Sequence, residues 1–163
     1  MRVYIADNHK LVVEGMKAVL MKSNIDVVGS FSNGLEVIKW RETNDTDVLI
    51  LDISMPILNG IDVLKYFQDR KINQPTLIVS AYNDYYFIIE AMKYGACGYI
   101  LKTEGDKLVH AVKTVHKGEK YVSKKVIETL LHKNHNPKNE SEKTETKFLL
   151  KDLVDGVIQK SIR

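Results

Sequence analysis

The sequence predicts an α/β fold, a doubly wound five-stranded parallel sheet followed by a short helical C-terminal extension. Three observations carry that expectation. Short apolar runs rich in β-branched residues recur along the N-terminal part of the chain, amphipathic stretches separate them, and polar residues stand at the runs' carboxyl ends. Buried strands alternating with helices are the pattern of βα units, whose parallel sheet is covered on both faces.

The first run, Val3-Tyr4-Ile5-Ala6, is closed by Asp7 and Asn8. Val12, Met16, Val19 and Leu20 follow at i, i+4, i+7 and i+8, one face of a helix. Asp26-Val27-Val28-Gly29 reads as a second strand and Val48-Leu49-Ile50-Leu51, ending at Asp52, as a third. Weaker helical patterns cover 60–70 and 84–95, and Gly95 can close the latter. Between these two helices lies Leu77-Ile78-Val79-Ser80. The fifth run, Gly98-Tyr99-Ile100-Leu101, stops at Lys102, and Leu108, Val112 and Val115 then repeat helically after Asp106, an expected N-cap.

A chain of 163 residues, 44% hydrophobic and 28% charged, suffices for one ordinary domain with a core and a short appendage. The net charge of +3 is too small to argue for nucleic acid. Cys97 is the only cysteine, which excludes an internal disulfide and a clustered-cysteine metal site. Asp7 interrupts the apolar start before a secretory core can form, and no apolar run approaches the roughly 18 residues of a membrane span. A soluble, cytoplasmic protein without a membrane partner is expected.

Chemistry in a parallel α/β sheet gathers at the carboxyl ends of the strands. That rule brings Asp7, Asp52, Ser80 and Lys102 together. Singly, each has an ordinary explanation: a turn or cap aspartate, a cap serine for the helix near Asp84, a solvated lysine. Jointly they suit phosphoryl transfer. Two carboxylates bind Mg²⁺, which would shield the attacking carboxylate from an incoming anion. Lysine and a hydroxyl would hold phosphoryl oxygens, and Asp52 would form an acyl phosphate.

The segment from Leu51-Asp52-Ile53-Ser54-Met55-Pro56 to Asn59-Gly60 resembles the phosphoacceptor segment of response-regulator receiver domains. Ile5-Ala6-Asp7-Asn8-His9-Lys10, Val79-Ser80-Ala81-Tyr82 and the stretch from Gly95 to Lys102 are similar to the family's other signature segments, in order and spacing. The resemblance is strongest to the NarL/LuxR type. It implies a flavodoxin-like receiver over residues 1–121, a helix over 122–131, a linker over 132–143 and a partial helical segment over 144–163. It further implies Asp52 as phosphoacceptor, Asp7 as acidic metal ligand, the Ser54 backbone carbonyl as metal contact, Lys102 as phosphoryl partner and Ser80 as switch hydroxyl. Tyr99 matches the aromatic that reorients with that hydroxyl, though an amphipathic aromatic at a sheet edge would look the same. Met55-Pro56 and Gly60 shape the loop.

Two departures stand out. Asn8 occupies the place of a second acid that usually ligates the metal, so a neutral amide should hold the ion more weakly, or the change has little consequence. Thr103 replaces a proline often joined to the lysine by a cis bond, so a trans bond is expected.

The polar stretch from His132 to Ser141 reads as a linker. Leu149, Leu150, Leu153, Val154 and Val157 then form an apolar stripe too short to bury itself. Leu149 to Gly156 and Gln159 to Ile162 are similar to the start of the helix-turn-helix domain carried by NarL/LuxR-type regulators. No recognition helix follows, so DNA contact would require a complete C-terminal domain and is not expected for this chain. A remnant of that domain, a dimerisation or docking helix, and a tail without a role are the three readings.

The resemblance implies a sensor histidine kinase as phosphodonor, a transcription-regulating output and room for a homodimer. The alternative is a stand-alone receiver acting by protein–protein contact. A signalling switch is expected rather than an enzyme, with slow acyl-phosphate hydrolysis as its off-step. Phosphatases of the haloacid dehalogenase type place a second aspartate two residues after the nucleophile. Ser54 stands there, which sets that reading aside.

Overall fold

The structure, a computed structural model, describes residues 1–133, 144 and 147–152. Six strands alternate with helices: β1 (Arg2–Ala6), α1 (Lys10–Met21), β2 (Asp26–Phe31), α2 (Gly34–Arg41), β3 (Val48–Leu51), α3 (Gly60–Asp69), β4 (Thr76–Ser80), α4 (Tyr85–Lys93), β5 (Gly98–Leu101), α5 (Leu108–His116), β6 (Tyr121–Val122) and α6 (Lys124–Lys133). All strand pairings are parallel, in the order β2-β1-β3-β4-β5-β6.

Period-two alternation in the strands builds two cores. Val48 and Ile50 join Val3, Ile5, Leu77, Val79 and Ile100 under α1 and α5. Leu49 and Leu51 join Ile78, Tyr99 and Leu101 under α2, α3, α4 and α6. A strand buried on both faces reads as a continuous apolar run, as Val-Leu-Ile-Leu does. The expected doubly wound sheet is present.

Local differences have local causes. Tyr121 and Val122 add a sixth strand beside β5, so the helix expected over 122–131 begins at Lys124 instead. In α1 the buried face is Val13, Met16 and Leu20, with Val19 turned outward. Asp106 does not cap α5. Residues Gly105–Lys107 tighten into a 3₁₀ turn, Lys107 takes the cap position, and Asp106 pairs with the Lys107 side chain at 2.9 Å. Gly95 closes α4 with φ +93°, a geometry glycine adopts freely. No cis peptide occurs among the described residues, so Lys102–Thr103 is trans.

Helix α6 lies against α4, burying Val126 and Leu130 beside Ile88, Ala91 and Met92. Residues 147–152 are helical, and Leu150 and Leu149 reach the same cluster. Most of the expected linker, and Leu153, Val154 and Val157 of the expected stripe, lie outside the described residues. No helix among the described residues is long and apolar enough to cross a membrane.

Candidate functional site

Strands β1 and β3 are neighbours although β2 separates them in sequence, and such a switch in strand order opens a crevice at the carboxyl edge. Asp7 and Asp52 are the first residues past these two strands. Their main chains are fixed by Asp7 N–H donating to the Phe31 carbonyl (3.0 Å) and Asp52 N–H donating to that of Ala6 (2.8 Å). Both carboxylates are nearly inaccessible, with side-chain exposures of 1% and 2%. From the end of β5, Lys102 places Nζ 2.7 Å from Asp7 Oδ2 and 2.9 Å from Asp52 Oδ2. At 16% side-chain exposure it is no solvated loop lysine. One ammonium faces two carboxylates, so the group retains an excess negative charge.

Burial pushes the Asp52 carboxyl above its ordinary value, and the Asp7 charge adds to that, while Lys102 and the Ser54 backbone oppose it. Burial also disfavours the Lys102 ammonium, but hydrogen bonding and attraction to Asp7 and Asp52 outweigh it and leave the group above its usual range. For a carboxyl raised on folding, the native state holds the extra proton between the ordinary and raised values. Stability therefore falls as pH rises through that window. Asp52→Asn removes this cost. Urea unfolding without divalent ions is expected to show the variant about 1 kcal/mol more stable at neutral pH, with the gain shrinking toward pH 4. A variant less stable than wild type at both pH values would mean that the Lys102 pair outweighs burial.

Asp52 Oδ1 is buried and accepts no hydrogen bond, while the equally buried Asp7 Oδ2 faces the Lys102 ammonium. Buried oxygens in that condition are costly. Hard anionic oxygens beside an incompletely neutralised charge fit a small divalent cation such as Mg²⁺. One oxygen of each carboxylate and a ring nitrogen of His9 lie within 4.8 Å of one another. His9 stands at the N-cap of α1, with its N–H donating to Asp7 Oδ1 (2.8 Å) and Nδ1 3.0 Å from the same oxygen. Asn8, the expected weakened ligand, is exposed and lines a groove with Lys10, Ser32 and Glu36.

The loop after Asp52 is tightly constrained. Gly60 N–H donates to the Ile53 carbonyl (2.9 Å), and a Cβ on Gly60 would collide with the Asp52 carbonyl oxygen. Ile57 has φ +69°, which a β-branched residue resists. Ser54, two residues past Asp52, is exposed.

Ser80 and Tyr99 meet through Tyr82. The Tyr99 hydroxyl donates to the Tyr82 carbonyl (2.7 Å), and Tyr82 N–H donates to Ser80 Oγ (3.1 Å). Both side chains are fully buried. Burial pushes the Tyr99 hydroxyl far above its ordinary range, with Ser80 opposing and the Asp52 charge adding. Ser80 does not cap α4; Asp84 does, accepting from Tyr86 N–H at 2.9 Å. Beyond this corner, Thr129 of α6 donates to Asn83 Oδ1 (2.8 Å).

Two polar residues escape a reading based on strand ends. His9 could have been noticed as an imidazole two positions past a strand-end acid. Glu104 gives no such signal, yet it is buried and accepts from Leu101 N–H (3.1 Å) and Ser123 Oγ (2.6 Å), tying the end of β5 to the start of α6.

Residues 3–113 match the family described as the response regulator receiver domain. Among curated proteins, the transcriptional regulatory protein DegU of Brevibacillus brevis is 30% identical over 93% of this chain and 65% of its own. The nitrate/nitrite response regulator protein homolog of Haemophilus influenzae is 32% identical over 99% of this chain and 79% of its own. The isolated receiver domain of RcsB from Salmonella enterica serovar Typhimurium, solved with phosphomimetic BeF₃⁻, superposes with a TM-score of 0.72. It is 27% identical and covers 79% of this chain and 97% of its own. The chain thus spans about two thirds of the DegU length.

Proposed function

Because the chain belongs to the response regulator receiver family, with homologues of the NarL/LuxR type, we propose that it is a phosphorylation switch whose acceptor is Asp52. The observation that carries the reading is the buried Asp7–Asp52–Lys102 group at the β1/β3 crevice. A carboxylate oxygen of Asp52 bonds to phosphorus while the donor's P–N bond breaks, its electron pair leaving with the imidazole of a sensor histidine kinase. Asp7, Asp52 and the Ser54 carbonyl would hold Mg²⁺, with Asn8 a weakened ligand. The ion supplies charge compensation between the acceptor and the incoming anion. Lys102 balances the remaining phosphoryl charge.

Ser80 then turns its hydroxyl toward the phosphoryl group and releases Tyr82 N–H. The Tyr99 hydroxyl is held by the same residue, so its environment changes with it. Asn83 and Thr129 carry the change to α6. The switch's output is transcriptional regulation, by analogy with the transcriptional regulatory protein DegU. A receiver acting through protein contacts alone is the second reading, favoured by the docking of α6 on α4.

Incubation with acetyl phosphate and Mg²⁺ is expected to add the mass of one phosphoryl group to the intact chain, and a chelator to abolish the gain. A chelator-insensitive gain would contradict the divalent requirement, and no gain would contradict the acceptor.

A further inference from the structure

We propose that His9 supplies a nitrogen ligand to the divalent-ion pocket, giving it a mixed nitrogen–oxygen donor set suited to late first-row metals such as Co²⁺ or Zn²⁺ as well as to Mg²⁺. The inference rests on the reading that Asp7 and Asp52 hold a divalent cation. Nδ1 of His9 stands 3.0 Å from Asp7 Oδ1, and a ring nitrogen of His9, one Asp7 oxygen and one Asp52 oxygen lie within 4.8 Å of one another. Adjacent ligands of a six-coordinate ion bound at about 2.1 Å are about 3 Å apart, so Nδ1 and Oδ1 already have the separation of two ligands of one ion.

The buried Asp52 Oδ1, which accepts no hydrogen bond, is an independent sign that the pocket can take a further positive partner. The His9 side chain is 58% exposed, so its ring can adjust to an ion without disturbing the core. Asn8, between the two, contributes a neutral and exposed amide. Imidazole binds Zn²⁺, Co²⁺ and Ni²⁺ far better than Mg²⁺, which prefers oxygen. A histidine that only caps α1 and orients Asp7 would affect all these ions alike.

Isothermal titration of the full chain with Co²⁺ and with Mg²⁺ separates the two roles, with Co²⁺ visible absorption as a second readout. His9→Asn keeps a residue suited to an N-cap and removes the imidazole. The variant is expected to lose Co²⁺ affinity by roughly tenfold or more while Mg²⁺ affinity changes by less than about threefold, and its Co²⁺ absorption should shift. Asp52→Ala should abolish the wild-type Co²⁺ spectrum, which places the ion in this pocket rather than at His110, His116 or His132. Equal losses for the two ions, an unchanged Co²⁺ affinity in His9→Asn, or Co²⁺ binding that survives Asp52→Ala would each overturn the inference. Mg²⁺ binding alongside such a result leaves the divalent-site reading standing. Failure of both ions to bind the wild type overturns both.

Discussion

Lys102→Met is expected to lower stability by about 3 kcal/mol at neutral pH without divalent ions, the lower end of the cost of removing one partner from a buried ion pair. Methionine fills the space of the aliphatic stem, so the loss reports charge. Without the ammonium at 2.7 and 2.9 Å, two carboxylates at 1% and 2% side-chain exposure face each other. One must keep a proton, so the Asp52 carboxyl is pushed further up, and stability recovers as pH falls toward that range. Mg²⁺ should restore part of the loss by binding only the folded state. Asp52→Asn in the same background removes the repulsion, and it should stabilise Lys102→Met by more than it stabilises wild type. Denaturant unfolding of the four proteins gives the coupling directly. An equal effect of Asp52→Asn in the wild-type and Lys102→Met backgrounds would show that Lys102 and Asp52 do not act as a pair.

Asn8→Asp is expected to tighten Mg²⁺ binding by roughly tenfold or more, since it adds an anionic oxygen next to Asp7, where hard ligands set Mg²⁺ affinity. Trp40 offers a natural probe. Its ring lies 5.3 Å from that of Phe31, whose carbonyl accepts the Asp7 N–H. A fluorescence titration of both proteins decides the matter, and equal or weaker affinity in the variant would show that Asn8 does not limit the site. The added charge also raises repulsion in the pocket, so the metal-free variant should be less stable than wild type.

Much of this arrangement was legible in the sequence because burial on both faces leaves a strong trace. Val48-Leu49-Ile50-Leu51 cannot be an amphipathic surface strand, and a doubly covered strand places Asp52 at the sheet's carboxyl edge. Lys102 and Ser80 followed from the same rule. Elements held by tertiary contact were less visible. Tyr121–Val122 is too short for any periodicity and exists because Tyr121 N–H reaches the Cys97 carbonyl beside β5. Helix α2 has little amphipathic pattern, and its register shows only once Trp40 meets Tyr4 and Phe31. The 3₁₀ turn at Asp106 and the burial of Glu104 depend on how β5 meets α6, which no local pattern encodes. His9 lay in plain sight, but only the fold shows its ring turned back onto Asp7.

Asp52 is the residue expected to take up the phosphoryl group. Borohydride reduces an acyl phosphate to an alcohol, so trapping after reaction with acetyl phosphate and Mg²⁺ marks the acceptor permanently, and peptide mass mapping locates it. Conversion is expected at residue 52 alone, absent when Mg²⁺ is chelated and absent in Asp52→Asn. Conversion at Asp7, or a phosphoryl mass gain that persists in Asp52→Asn, would contradict it.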